Sequence, residues 1–149
     1  MRLLTSLIVL TAAFGAHAQD TLEEKVAAAQ AAESRPQSDV KRDRNRMPAE
    51  TLGFFGMTDD MRVLELMPGG GWYTRILAPV LAENGEFYVA VGASRVSEAI
   101  AGSAGFDNIN VVETSDNLHR PEGSRFYAMD QFELGLSDLD MVLTFRNMH

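Results

Sequence analysis

The pattern of apolar and polar residues predicts four buried strands with helices between them. Four short runs are mostly apolar, which is typical of strands buried on both faces of a parallel sheet: residues 61–66, 86–91, 109–113 and 139–145. After the first run, apolar residues recur at the spacing of one helix face, at Tyr73, Ile76, Leu77, Val80 and Leu81. Because strands and helices alternate, we expect an α/β fold with a parallel sheet and right-handed crossovers.

Weaker patterns add shorter elements to this outline. Thr21 and Glu24 have the spacing of a capping box, so we expect an alanine-rich helix that starts at Thr21 and lies outside the core. Pro48 suits the first turn of a further short helix. We also expect a weak helix at residues 94–101 and a short extra strand at residues 126–129.

The segment at residues 41–46 is dense in charge and has two interpretations. In the first, it is a solvated stretch of the surface. In the second, Arg42 or Arg46 folds over a ligand site and meets a carboxylate there. The charge pattern by itself does not separate the two.

Composition and charge restrict the chemistry. The 149 residues suffice for one modest domain, and 46% of them are hydrophobic, as in an ordinary soluble protein. A net charge of −8 repels phosphate backbones, so we expect no nucleic-acid partner. The chain has no cysteine, which excludes disulfides, thiolate catalysis and cysteine-based zinc sites. We expect no metal site, because the two histidines that follow residue 18, His119 and His149, lie 30 positions apart and do not form a ligand set.

The N-terminus has the three parts of a secretory signal peptide. Arg2 is followed by a mostly apolar run and then by Ala16-His17-Ala18, an A-x-A cleavage site. The apolar run is shorter than the roughly 20 residues that span a bilayer. We therefore expect a signal at residues 1–18 and an exported protein, periplasmic or secreted, without a membrane anchor after cleavage. A helix and a charged segment at residues 19–47 would precede the main domain at residues 48–149.

A glycine loop between the first strand and its helix is the strongest local feature. Glycines let a ligand approach the main chain, and ligands of open α/β sheets bind at the carboxyl ends of the strands. Trp72 directly after Gly71 excludes a P-loop, which needs lysine there. Thr74 occupies the last glycine position of a dinucleotide fingerprint and disfavours a nicotinamide site. Glu65 stands ahead of the loop, as in a third class of nucleotide-binding site with an acid at the end of the first strand.

Several runs resemble a group of predicted exported class I S-adenosylmethionine-dependent methyltransferases. These runs are residues 46–56, 63–74 and 77–79, and residues 143–149 are similar to the end of the fourth strand in that group. The resemblance extends from about Arg35 to His149. Its most distinctive part is Pro-Gly-Gly-Gly-Trp-Tyr-Thr at residues 68–74.

The resemblance implies a Rossmann-like, doubly wound, mostly parallel sheet of the methyltransferase type, with S-adenosylmethionine as cofactor. We expect the present sequence to be cut after the fourth strand of that sheet. In such families Glu65 would anchor the loop. The methionine part of the cofactor would lie on three glycines, Gly69, Gly70 and Gly71.

The candidate residues near the transferred methyl group are among the last residues of the sequence. The resemblance implies that Asn147 and His149 lie near the transferred methyl group. Where an oxygen or nitrogen acceptor needs a base, His149 is the nearest candidate in sequence; the alternative is a chain-end histidine without a role. Asp130 is a candidate contact for the adenine side of the ligand, and His119 is expected in a polar loop without a function.

Two departures from the family pattern support an alternative function. Met67 replaces the first glycine of the general motif, and Gly92 stands where an acid usually binds the ribose hydroxyls. Export also separates the protein from the compartment in which the cofactor is made. The alternative is therefore an exported, non-catalytic module that keeps the fold and binds another ligand or a protein. For the enzyme, the methyl acceptor is unknown.

Overall fold

The computed structural model describes residues 14–101, 103, 105–114, 118–131 and 133–145. The helices are α1 (Phe14–Ala31), α2 (Gln37–Arg46), α3 (Pro48–Phe54), α4 (Thr74–Leu81) and α5 (Ser94–Ile100). The strands are β1 (Arg62–Leu66), β2 (Glu86–Ala90), β3 (Ile109–Val112), β4 (Leu118–His119), β5 (Ala128–Met129) and β6 (Met141–Leu143). Within the described residues, no helix combines the length and apolarity needed to cross a bilayer.

The four predicted main strands form one parallel sheet. Their order is β3-β2-β1-β6, and every neighbouring pair runs parallel. The chain moves outward from β1 to β3 on one side and then returns to place β6 on the other side of β1. The direction of winding therefore reverses between β1 and β6, which is the position where open α/β sheets bind ligands. The α/β class and the mostly parallel sheet are confirmed.

The larger core lies on one face of this sheet. Alternate residues of the strands point to this face, among them Val63, Phe87 and Val89, and they pack against α1, α4 and α5. The opposite face carries a smaller cluster around Leu64, Ala90 and Val91. It is covered by an extended segment that contributes Leu134, Leu136 and Leu139. In the described part of the connection from β3 to β6, the antiparallel pair β4–β5 and this segment stand where a doubly wound fold has a helix.

The expectation that the first helix lies outside the core is wrong. Leu22, Val26 and Ala29 are almost completely buried and belong to the larger core. Their spacing of four and three residues places them on one face of α1, so the helix contributes an apolar stripe although its composition is dominated by alanine and charge. The helix also begins at Phe14 and not at Thr21, because a capping pattern is a weaker signal than the continuous run of helix-forming residues around it.

Candidate functional site

A cleft of about 430 Å³ opens at the carboxyl ends of β1 and β6. One wall is the loop after β1, with Glu65 and residues 67–70. A second wall is α2, which contributes Ser38, Asp39, Arg42 and Arg46. Phe145, just beyond β6, closes the third side. The cleft thus lies at the reversal of winding between β1 and β6.

The backbone of the loop turns sharply through left-handed conformations. Met67 has φ 54°, Gly69 has φ 59° and Gly71 has φ 78°. The Met67 N–H donates to the Ala90 carbonyl at 3.0 Å, and the Gly71 N–H donates to the Pro68 carbonyl at 3.0 Å. Met67 therefore occupies a left-handed position that a glycine would adopt without steric cost. This cost is on the order of 1 kcal/mol for an L-residue.

The three glycines of the loop have different surroundings. A Cβ added at Gly71 would lie 2.5 Å from Cγ2 of Val96, so α5 packs directly on this residue. A Cβ at Gly69 or Gly70 would meet no atom of the described residues within 4 Å. Gly69 and Gly70 line the cleft, whereas Gly71 does not. Gly71 therefore has a packing role against α5, and its expected place beneath a ligand stays a prediction.

Glu65 is a buried acid at the wall of the cleft. It is 3% exposed, and its Oε2 accepts a hydrogen bond from the hydroxyl of Thr74 at 2.6 Å. The bond ties the end of β1 to the beginning of α4. Burial raises the pKa of Glu65 to about 7, while the Thr74 hydroxyl and the positive charge of Arg46 act in the opposite direction.

Trp72 connects the loop to α2. Its indole Nε1 donates to the Asp39 carbonyl at 3.0 Å, and Arg46 lies over its ring at 4.5 Å from the centroid. Arg35 lies 5.5 Å from the same centroid. Tyr73 stacks on Phe145 with 3.5 Å between ring centroids. These contacts fix two walls of the cleft relative to each other.

Arg75 stabilises the conformation of the glycine loop through hydrogen bonds to its carbonyl groups. Its Nη1 donates to the carbonyls of Gly70 at 2.7 Å and Gly71 at 3.1 Å, and to Oδ2 of Asp39 at 3.2 Å. Both Arg75 and Asp39 are nearly buried. The sequence analysis missed this pair, since its members lie 36 positions apart and neither has a local pattern.

The charged segment at residues 41–46 matches its second interpretation at two positions. Arg42 lies 3.8 Å from a carboxylate oxygen of Asp39, and Arg46 acts electrostatically on Glu65. Both arginines line the cleft. Lys41 and Arg44 are exposed, as the first interpretation expects of a solvated stretch.

Asp130, the candidate for the adenine side of the ligand, is not part of the cleft. Asp130 follows β5 with a side chain that is 67% exposed, and it lies 3.6 Å from His119. It does not line the cleft, because the β4–β5 pair forms a separate small sheet. Asn147 and His149 lie outside the described residues. No group of three or more metal-ligating side chains occurs among the residues that are described.

Comparison of the chain with protein-family models, curated proteins and solved structures gave no match.

Proposed function

We propose that the cleft binds S-adenosylmethionine and that the protein transfers its methyl group to an acceptor. One observation carries the proposal: an open Gly69–Gly70 backbone lies beside the buried Glu65 where the winding of the sheet reverses. Glycines with free space on their Cβ side let a ligand contact the main chain directly. Open α/β sheets use this edge for nucleotide-like ligands.

The residues of the cleft fit the methionine part of the cofactor. Within the described chain, no hydrogen bond occupies the N–H of Gly69 or Gly70, so both can donate to a carboxylate. Glu65 supplies a carboxyl group for the positively charged ammonium group. The cofactor supplies a methyl group that is already activated by the positive sulfonium.

The contribution of the protein is orientation. Methyl transfer requires the acceptor atom and the methyl group to be held in line and close together. Trp72, Tyr73 and Phe145 form a stiff aromatic wall through edge and stacking contacts, and this wall restricts how an acceptor can enter. The resemblance assigns Asn147 and His149 to the reacting end, and both follow Phe145 closely in sequence.

Calorimetric titration of the full chain with S-adenosylmethionine tests the proposal. We expect saturable binding with one site, and no binding of NAD under the same conditions because Thr74 replaces the last fingerprint glycine. Absence of S-adenosylmethionine binding at millimolar concentration, in a folded sample, would contradict the proposal. Binding of NAD alone would point to an oxidoreductase.

A specific observation favours the alternative of a non-catalytic binding module. At the end of β2, where related sites carry the ribose-binding acid, the chain has Val91 and Gly92. Val91 adopts φ 61°, and its N–H donates to the hydroxyl of Thr114 at 3.1 Å.

Incubation of the protein and a cell extract with methyl-labelled S-adenosylmethionine separates the two functions. Protein-dependent label in a product supports the enzyme, and binding without any labelled product supports the module.

A further inference from the structure

One face of α2 presents hydrogen-bond donors to the cleft at a regular spacing. Ser38, Arg42 and Arg46 follow one another at intervals of four residues, and all three line the cleft. Residues four apart lie on the same side of a helix, with neighbouring Cβ atoms about 6 Å apart. We call these three residues the donor ridge. It lines the same cleft as Gly69 and Gly70 of the glycine loop.

The charges around the cleft do not cancel. Asp39 and Arg75 form a nearly buried ion pair at 3.2 Å, and they neutralise each other. Of the remaining groups, Arg46 interacts with Glu65. Arg42 adds a further positive charge, because the carboxylate beside it, Asp39, is already paired with Arg75. The cleft is thus locally cationic in a chain whose net charge is −8.

Arg42 is positioned to bind a ligand. Its side chain is 50% exposed, and within the described residues it makes a single ion pair, with Asp39 at 3.8 Å. This distance is longer than a hydrogen bond, so the guanidinium keeps its donors for another acceptor. The exposed hydroxyl of Ser38, one turn away, makes no hydrogen bond within the described part of the chain. Arg46 is held over Trp72, which fixes the far end of the ridge.

We propose that the donor ridge binds a negatively charged group, carboxylate or phosphate, on the methyl acceptor. A planar guanidinium that donates two parallel hydrogen bonds recognises both groups. The proposal rests on the proposed function, because it places the acceptor opposite the glycine loop that would hold the cofactor. It adds a substrate class: acceptors with at least one anionic group.

Binding of small anions to the full chain tests the donor ridge. Inorganic phosphate and succinate are titrated separately against the protein, with chloride adjusted so that the ionic strength stays constant. We expect at least one of the two anions to bind saturably. Calorimetry measures this binding directly, and a rise of Tm with anion concentration measures it independently. The anion that binds more tightly identifies phosphate or carboxylate as the group on the acceptor.

Two variants of equal charge make the test specific. Arg42→Gln should weaken anion binding about tenfold or more, which corresponds to the loss of one charge-assisted contact. Arg44→Gln removes the same charge from the same helix, but Arg44 is exposed and does not line the cleft. It should bind anions like the parent chain. Equal losses in both variants, or no saturable binding by either anion, would overturn the proposal.

A parallel titration with S-adenosylmethionine separates this proposal from the proposed function. Cofactor binding without anion binding overturns the donor ridge and leaves the methyltransferase proposal in place. Anion binding without cofactor binding retains an anion site but overturns its assignment to a methyl acceptor. Arg44→Gln should leave cofactor binding within about twofold of the parent, since Arg44 is exposed and does not line the cleft.

Discussion

The glycine loop has two halves that differ in their surroundings. The packed half is residues 71–74: Gly71 lies against Val96, and Trp72, Tyr73 and Thr74 are at most 5% exposed. The open half is Gly69 and Gly70, which are exposed and have free space where a side chain would be. The two halves are adjacent in sequence and consist of similar residues at their junction. Packing constrains the first half, and under the proposed function a ligand accounts for the second.

This contrast shows that a glycine motif is not one functional unit. Gly71 is needed because a helix of the same chain approaches it, whatever the protein binds. Among the described residues, no atom lies within 4 Å of a Cβ added at Gly70, so packing on that side does not explain its lack of a side chain. Under the proposed function, a ligand that approaches the main chain supplies the explanation. Substitutions in the two halves should therefore separate stability from binding.

The largest effect is expected at Gly71. In Gly71→Ala the new Cβ would meet Cγ2 of Val96 at 2.5 Å, and the residue would keep φ 78°. Crowding and left-handed strain together should lower the free energy of unfolding by about 3 kcal/mol, measured by urea denaturation. Val96→Ala in the same chain is the control, because it should remove the crowding part of the loss. If Gly71→Ala changes the free energy of unfolding by less than about 1 kcal/mol, the packing role of Gly71 is contradicted.

Glu65→Gln should change the pH dependence of stability. Burial raises the pKa of Glu65 from 4.5 to about 7, so the folded state favours the protonated acid. The protonated carboxyl group therefore contributes to the free energy of unfolding. This contribution is fully present below pH 4.5 and is lost as the pH rises through about 7. Over this interval the loss amounts to about 3 kcal/mol.

Unfolding free energies of the parent chain and of Glu65→Gln at pH 4 and pH 8.5 measure this loss. The parent should lose stability relative to the variant by up to about 3 kcal/mol between the two values. Glu50→Gln, at an exposed position, is the matched control and should follow the parent. Parallel behaviour of Glu65→Gln and the parent would mean that the carboxyl group is solvated.

Gly69→Ala should have an intermediate effect. The backbone has φ 59°, but a Cβ would meet nothing within 4 Å, so only the left-handed strain remains. We expect a loss of about 1 kcal/mol in the free energy of unfolding. Gly69→Asn should lose less, since asparagine tolerates this conformation. A loss as large as that of Gly71→Ala would mean that the two halves do not differ.

The smallest effect on stability is expected at Gly70. Its φ is not positive and its Cβ side is open, so Gly70→Ala should change the free energy of unfolding by less than about 0.5 kcal/mol. Thermal and urea denaturation measure this directly. A loss of more than about 1 kcal/mol would show that Gly70 has a packing role, and the open half would have no need of a ligand.

The sequence predicted the elements that depend on local patterns. The four main strands and the helix after the loop correspond to blocks of apolar residues with the right periodicity. The position of Glu65 at the end of the first strand followed from the same pattern. The burial of Leu22 and Val26 had a signal in their spacing of four, but the surrounding alanine and charged residues obscured it.

Contacts between distant residues were not predictable from local patterns. The ion pair of Asp39 and Arg75 and the packing of Val96 on Gly71 depend on how α2 and α5 sit on the sheet. For the same reason, the sequence could not assign different roles to Gly69 and Gly71. The choice between two interpretations of residues 41–46 also required the position of α2 beside the loop.

The most direct test of the two-halves account is calorimetric titration of the full chain and of Gly70→Val with S-adenosylmethionine. The account predicts that the parent binds and that Gly70→Val loses binding by about tenfold or more, because the new side chain occupies the space of the ligand. The variant should keep the Tm of the parent, since among the described residues no atom lies within 4 Å of a Cβ added at Gly70. Equal binding by both proteins, or no binding by a folded parent, would contradict the assignment of the open half to this cofactor.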